Sequence, residues 1–226
     1  MTTNEPPASG GVREACLPKL LTWLSPAFPV GSFAYSHGLE WAVAAGDVRD
    51  SATLADWIED VLRHGSGRTD LILLRHAHRA TTRAELEAIA ELAEAAQPCR
   101  ERRVETKGQG AAFVLAAEVW GMKLAEGPLS YSVAFGAIAR AHGIPEDPAA
   151  LGFLHAFTAN LISAAVRLVP LGQTAGLRVL AALEPTILAV AGETATAGLE
   201  DIGSACFRSD IAAMRHETQY TRLFRT

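Results

Sequence analysis

DPAALGFLHAFTANLISAAVRLVPLG (147–172) is the stretch on which the fold turns. Asp147 followed by Pro148 reads as an N-cap carboxylate with proline at the first helical position; Pro170 and Gly172 stop the run after about Val169. Some twenty apolar-rich residues are also enough to cross a bilayer. Here His155, Thr158, Asn160, Ser163 and Arg167 interrupt the run, and a central amide or charge is expensive in lipid. The stretch therefore reads as a buried helix of a soluble bundle.

The helical period continues on both sides. Leu54, Trp57, Ile58, Val61 and Leu62 fall on one face of a helix that Asp50 or Ser51 can cap. Thr82 and Glu85 have capping-box spacing ahead of Leu86, Ile89 and Ala93. Phe113, Ala117, Trp120 and Leu124 mark another stripe. Further helices are expected at about 15–24, 33–45, 69–80, 130–142, 173–183, 186–197 and 209–221. No run alternates as a strand does, and no Asn-Gly or Asp-Gly turn appears. Alanine, the best helix former, supplies 42 of 226 residues, which points to close helix–helix contacts. The expected fold is all-α: a single-domain helical bundle of about ten helices, with flexible N- and C-terminal tails. Residues 1–12 read as a disordered lead-in, 13–208 as the domain, and 209–226 as a C-terminal helix and partner-binding tail.

Composition excludes several functions. With 20 basic and 25 acidic side chains the net charge is −5, which lacks the footprint of a nucleic-acid binder. Cys16, Cys99 and Cys206 are widely spaced with no CxxC pair, against a zinc knuckle or disulfide framework and in keeping with the cytoplasm. The first residues have no apolar signal core. There is no GxxxxGK[ST], HExxH or GxSxG, and Gly108-Gln109-Gly110 follows a charged helical run rather than a strand. His76 and His78, two apart, point to opposite faces of a helix and cannot chelate together. His155, on an apolar helix, reads as a satisfied core residue. Glu91 and Glu94 read as a solvated face, and the alternating charges of residues 100–105 as an exposed helix face. No catalytic residue, metal ligand or cofactor is assigned.

Three segments resist a purely structural reading. In SPAFPVGSFAYSHGLE (25–40), two prolines fix an extended loop, Gly31 permits a turn and Ser32 can cap a helix. In SAAVRLVPLGQT (163–174), Arg167 can reach terminal carbonyls or a carboxylate such as Glu40 or Glu217, and Gln173 or Thr174 opens the next helix. The tail from Ser209 sets Tyr220, Leu223 and Phe224 among Arg215, Arg222 and Arg225, the composition of interface anchors. It either docks on its own domain or folds onto a partner; the partner reading is preferred. The rival is a small helical metal-dependent hydrolase using His216-Glu217 with other histidines, or a direct carrier of a metal ion.

In SPAFPVGSFAYSHGLE (25–40), ETKGQGAAF (105–113), NLISAAVRLVPLGQTAGLRVL (160–180) and MRHETQYTRLFRT (214–226), taken in that order, the chain resembles the UreF family of urease accessory proteins. His37 stands where the family often has Gln, and Ala175 where an acidic residue is common. The resemblance implies an all-α, homodimeric cytoplasmic protein without catalytic activity. It implies an adaptor that assembles UreD (UreH) and the GTPase UreG with apo-urease for nickel insertion. On that reading Gly31, Ser32, Phe33, Tyr35, Ser36, Gly38 and Glu40 are expected to help form the side facing UreG, and Arg167 and Gln173 are further partner-binding candidates. Arg215, His216, Glu217, Tyr220, Arg222, Leu223, Phe224 and Arg225 are expected to face UreD. Neither nucleic acid nor membrane is expected as a partner.

Overall fold

A computed structural model of the chain describes residues 16–121, 127 and 129–226; the expected lead-in 1–12 and Leu124 lie outside them. Among the described residues there are ten α-helices and no strand. They are α1 (Leu17–Trp23), α2 (Leu39–Ala44), α3 (Ser51–His64), α4 (Ser66–Arg79) and α5 (Arg83–Ala95). Then follow α6 (Arg100–Ala117), α7 (Tyr131–Ala141), α8 (Glu146–Leu168), α9 (Gln173–Glu193) and α10 (Phe207–His216).

Helix α4 sits at the centre, packed on α7, α3, α8 and α5, while α9 lies across α8 and α3. Small residues set the closest approach. A β-carbon at Gly136 of α7 would stand 2.2 Å from the Leu74 carbonyl of α4. Ala77, Ala134 and Ala139 beside it are fully buried, so the alanine excess works as close helix packing. Trp23, Phe113, Tyr131, Phe135 and Phe153 form the aromatic part of the core, mostly edge to face.

Several local expectations hold. Asp50 and Thr53 form a capping box on α3, Thr82 and Glu85 another on α5, and the five apolar α3 residues are buried. His76 and His78 go separate ways, to the carbonyls of Ala197 and Ile144.

Four expectations need correction. Helix α8 begins two residues early, after Pro145, so Asp147 lies in its first turn and binds buried Arg75 at 2.7 Å instead of capping. His155 faces outward and is exposed. Residues 173–197 do not split at Pro185: α9 runs through it. Pro185 and Ala181 are both exposed, so the carbonyl that proline frees faces water, while Leu183, Thr186 and Ile187 bury the other side. Lastly, 33–45 is no single helix but a 3-10 turn (Ser32–Ala34) and then α2, with Ser32 making no side-chain cap.

Helices α8 and α9 are both long and apolar enough to cross a membrane by length and composition. Each packs against its neighbours along one side, α8 on α9, α4, α2, α7 and α3.

Candidate functional site

The turn that splits the expected helix also makes the site. His37 (φ 57°) and Gly38 (φ 75°) are consecutive left-handed residues, a combination no helix continues through. They swing the chain into α2 and expose the Gly38 backbone to α10. A β-carbon at Gly38 would stand 2.4 Å from the Ala213 nitrogen, so only glycine lets α10 cross here.

After α10 the chain takes no regular structure, and residues 217–226 return across α2 and α6. Each step is pinned. Helix α6 begins at Cys99 without a side-chain cap. Glu217 supplies one from a distance, accepting the Arg100 N–H at 3.0 Å where the helix dipole favours a negative charge. Glu40 accepts the N–H groups of Leu223 (2.6 Å) and Phe224 (2.9 Å), and its Oε2 lies 3.1 Å from His216 Nε2. The other ring nitrogen of His216 is 2.7 Å from Glu101, which also receives Arg222 at 2.8 Å. His216 is thus sealed between two carboxylates, with none of its ring exposed.

The last residues are held as firmly. Phe224 is buried beneath the Arg167 guanidinium, 4.3 Å from the ring centroid. Arg167 also donates to the Phe33 carbonyl at 2.7 Å, so it reaches neither Glu40 nor Glu217. The Arg225 N–H donates to Ala34, and the Ser36 N–H and hydroxyl both donate to the Thr226 carbonyl, at 2.7 and 2.6 Å. The Thr226 hydroxyl donates to Glu105 at 2.6 Å.

Glu105 belongs to a buried polar cluster below the tail. It pairs with Arg102, accepts from Gln109 and lies 2.9 Å from His37 Nδ1. That approach is short but poorly aligned, so it is a close contact and not a hydrogen bond. Burial alone would raise the Glu105 carboxyl; Arg102 and His37 outweigh it and hold it down at about 2. Burial, reinforced by Arg102, lowers the His37 imidazole. Asp70, bonded to Ser132, is pushed up to about 6 by burial.

The Asp70 shift has a testable sign. A carboxyl whose pKa is raised on folding costs stability once ionised, above about pH 6, and the cost fades as pH falls towards 4. Asp70→Asn should therefore stabilise the protein by about 2–3 kcal/mol at pH 7.5. The gain should shrink steadily in urea titrations at lower pH. A gain that is constant with pH would contradict the assignment.

The seventeen expected residues divide in three. Tyr35, Ser36, Gly38, Glu40, His216 and Phe224 are buried and build the seat of the tail. Phe33, Arg167, Gln173, Arg215, Tyr220, Arg222, Leu223 and Arg225 are exposed, while Gly31, Ser32 and Glu217 are half-buried. The rival hydrolase pair is not assembled: His216 faces Glu40 and Glu101, while Glu217 turns to the start of α6. Among the described residues no group of three His, Cys, Asp or Glu side chains gathers to hold a metal ion.

Two features went unread in the sequence. The run 100–105 is no exposed face, since Arg102 and Glu105 are almost wholly buried. Their spacing from Thr106, Gln109 and Phe113 (i, i+3, i+4, i+7, i+11) continues the buried stripe and was the available signal. On α10, Phe207, Ile211 and Met214 form an exposed apolar row, opposite the buried Ala212, Ala213 and His216.

The family model described as UreF matches residues 48–184. A urease accessory protein UreF of Bradyrhizobium sp. (strain ORS 278) is 51% identical over all of both chains. That of Bradyrhizobium diazoefficiens is 53% identical over all of this chain and 99% of its own, and that of Rhodopseudomonas palustris (strain TIE-1) 50% over 99% and 100%.

Proposed function

Since the chain belongs to the UreF family of urease accessory proteins, we propose that it is a homodimeric cytoplasmic adaptor. In this reading it joins UreD (UreH) and the GTPase UreG to apo-urease, and nickel is the cargo inserted into the metallocentre. It is an accessory protein and not itself an enzyme.

One observation carries the reading: α10 and residues 217–226 turn one side to the bundle and a different set of side chains to solvent. The inner side is His216 and Phe224, both resting on Glu40 of α2. The outer side is Phe207, Ile211, Met214, Tyr220 and Leu223, of which Tyr220 is fully exposed, among Arg215 and Arg222. Exposed aromatics with arginine are the residues that anchor interfaces. Because Leu223 projects from a backbone already hydrogen-bonded to Glu40, a partner that binds it has less chain left to order. We assign residues 209–226 to UreD on this ground, and the 31–40 segment with its exposed Phe33 to the side facing UreG.

The seat dictates the test. Removing residues 215–226 would also remove the buried His216, so substitution of exposed side chains is the cleaner experiment. Tyr220→Ala combined with Leu223→Ser should leave helical circular dichroism unchanged. Each change should weaken UreD capture by about 1–2 kcal/mol or more, so the pair lowers affinity by about thirtyfold or beyond. Undiminished capture of UreD by the double variant would refute the assignment.

A further inference from the structure

Between the 24–33 segment and α8 a cleft of about 280 Å³ runs down to the polar cluster. Its rim is exposed, at Pro26, Phe33 and Ser163. Its walls are aromatic, from Tyr131, Phe153 and Phe157. Its floor is His37, Asp70, Arg102 and Glu105, each more than nine-tenths buried. This is the anatomy of a small-molecule site, an apolar slot with a few convergent polar groups at its end.

We propose that this cleft binds a small organic cation, a primary amine or amidinium on a short aromatic or branched apolar body, with the charged head on Asp70 and His37.

Three observations set that chemistry. The floor carries two carboxylates against one guanidinium, and Arg102 is already committed to Glu105. Asp70 is left as the carboxylate without a cationic partner of its own among the described residues; Ser132 donates to one of its oxygens. Next, neither ring nitrogen of His37 has an aligned hydrogen-bond partner among the described residues, although the side chain is buried. A neutral imidazole offers one lone pair, which an N–H donor from the ligand would satisfy. Finally, the walls present aromatic rings, and the faces of such rings attract a cation. An anion entering the same space would meet two carboxylates, Asp70 and Glu105, while the Arg102 guanidinium on the floor is already paired with Glu105.

Benzylamine is a suitable probe, with benzyl alcohol and benzoate as neutral and anionic counterparts of the same shape. Isothermal titration of the full chain at pH 7.5 should give saturable binding of benzylamine, and the other two should bind at least about tenfold more weakly. Asp70→Asn, expected to fold, should weaken benzylamine about tenfold and leave benzyl alcohol unchanged. In the unmodified protein, benzylamine should also shift the His37 ring resonances, a readout that needs no variant. Equal binding of all three compounds, preference for benzoate, or absence of saturable benzylamine binding would each overturn the proposal.

Discussion

Replacing Glu40 by alanine is expected to detach residues 217–226 and to lower the free energy of unfolding by about 3–5 kcal/mol. Glu40 is buried and serves three groups at once, the N–H groups of Leu223 and Phe224 and the His216 ring. Alanine would leave two amides without their acceptor and would face His216 with a carboxylate on one side only. The Arg222 contact and the second His216 contact rest on Glu101 and remain, but they supply no acceptor for the Leu223 and Phe224 amides. Glu40→Gln keeps one acceptor oxygen and should cost only about 1–2 kcal/mol. Urea denaturation gives the magnitudes, and hydrogen exchange at Leu223 and Phe224 shows whether the tail has left. Unchanged protection of those two amides in Glu40→Ala would disprove the role. Detachment should also reduce UreD capture under the proposed function, by a different route from the exposed Leu223 and Tyr220.

Gly38→Ala should be the next most damaging single change, at about 2–4 kcal/mol. Two costs add. A side chain at φ 75° is strained by about 1 kcal/mol, and the new methyl group would stand 2.4 Å from backbone that cannot swing aside as a side chain could. Helix α10 must lift, and the His216 contacts go with it. Gly31→Ala is the control: its φ is 73°, but nothing lies within 4 Å of the added β-carbon, so it carries the backbone cost alone. The difference between the two variants measures the close approach of α10. Equal losses of stability would mean that the crossing is not tight.

Much of the bundle was legible because helices announce themselves locally. The caps at Asp50 and Thr82 and the apolar face of α3 depend on residues three or four apart. The site depends on residues far apart, and there the reading failed in instructive ways. Arg102 and Glu105 looked solvent-facing because charged residues usually are; what buries them is the return of Thr226 and the approach of His37. His37 was visible as a departure from the family pattern, but its left-handed backbone and its place above the cluster were not. In the tail both alternatives have content: Phe224 and Thr226 dock on the domain, while Tyr220 and Leu223 stay outside. Pro185 misled because a proline on the solvent side of a helix removes a hydrogen bond that water replaces.

The hydrogen bonds of the tail also order events in time. They join residues more than 110 positions apart, 115 for His216 with Glu101 and 190 for Thr226 with Ser36. A nascent chain emerging from the ribosome completes α2, α6 and α8 before it contains the residues that rest on them, and such distant closures come late in folding. The tail therefore has nowhere to settle until Glu40, Glu101, Glu105 and Arg167 have been brought to one side of a finished bundle. Its docking marks maturity, so a partner that grips the docked form would discriminate completed molecules from those still folding.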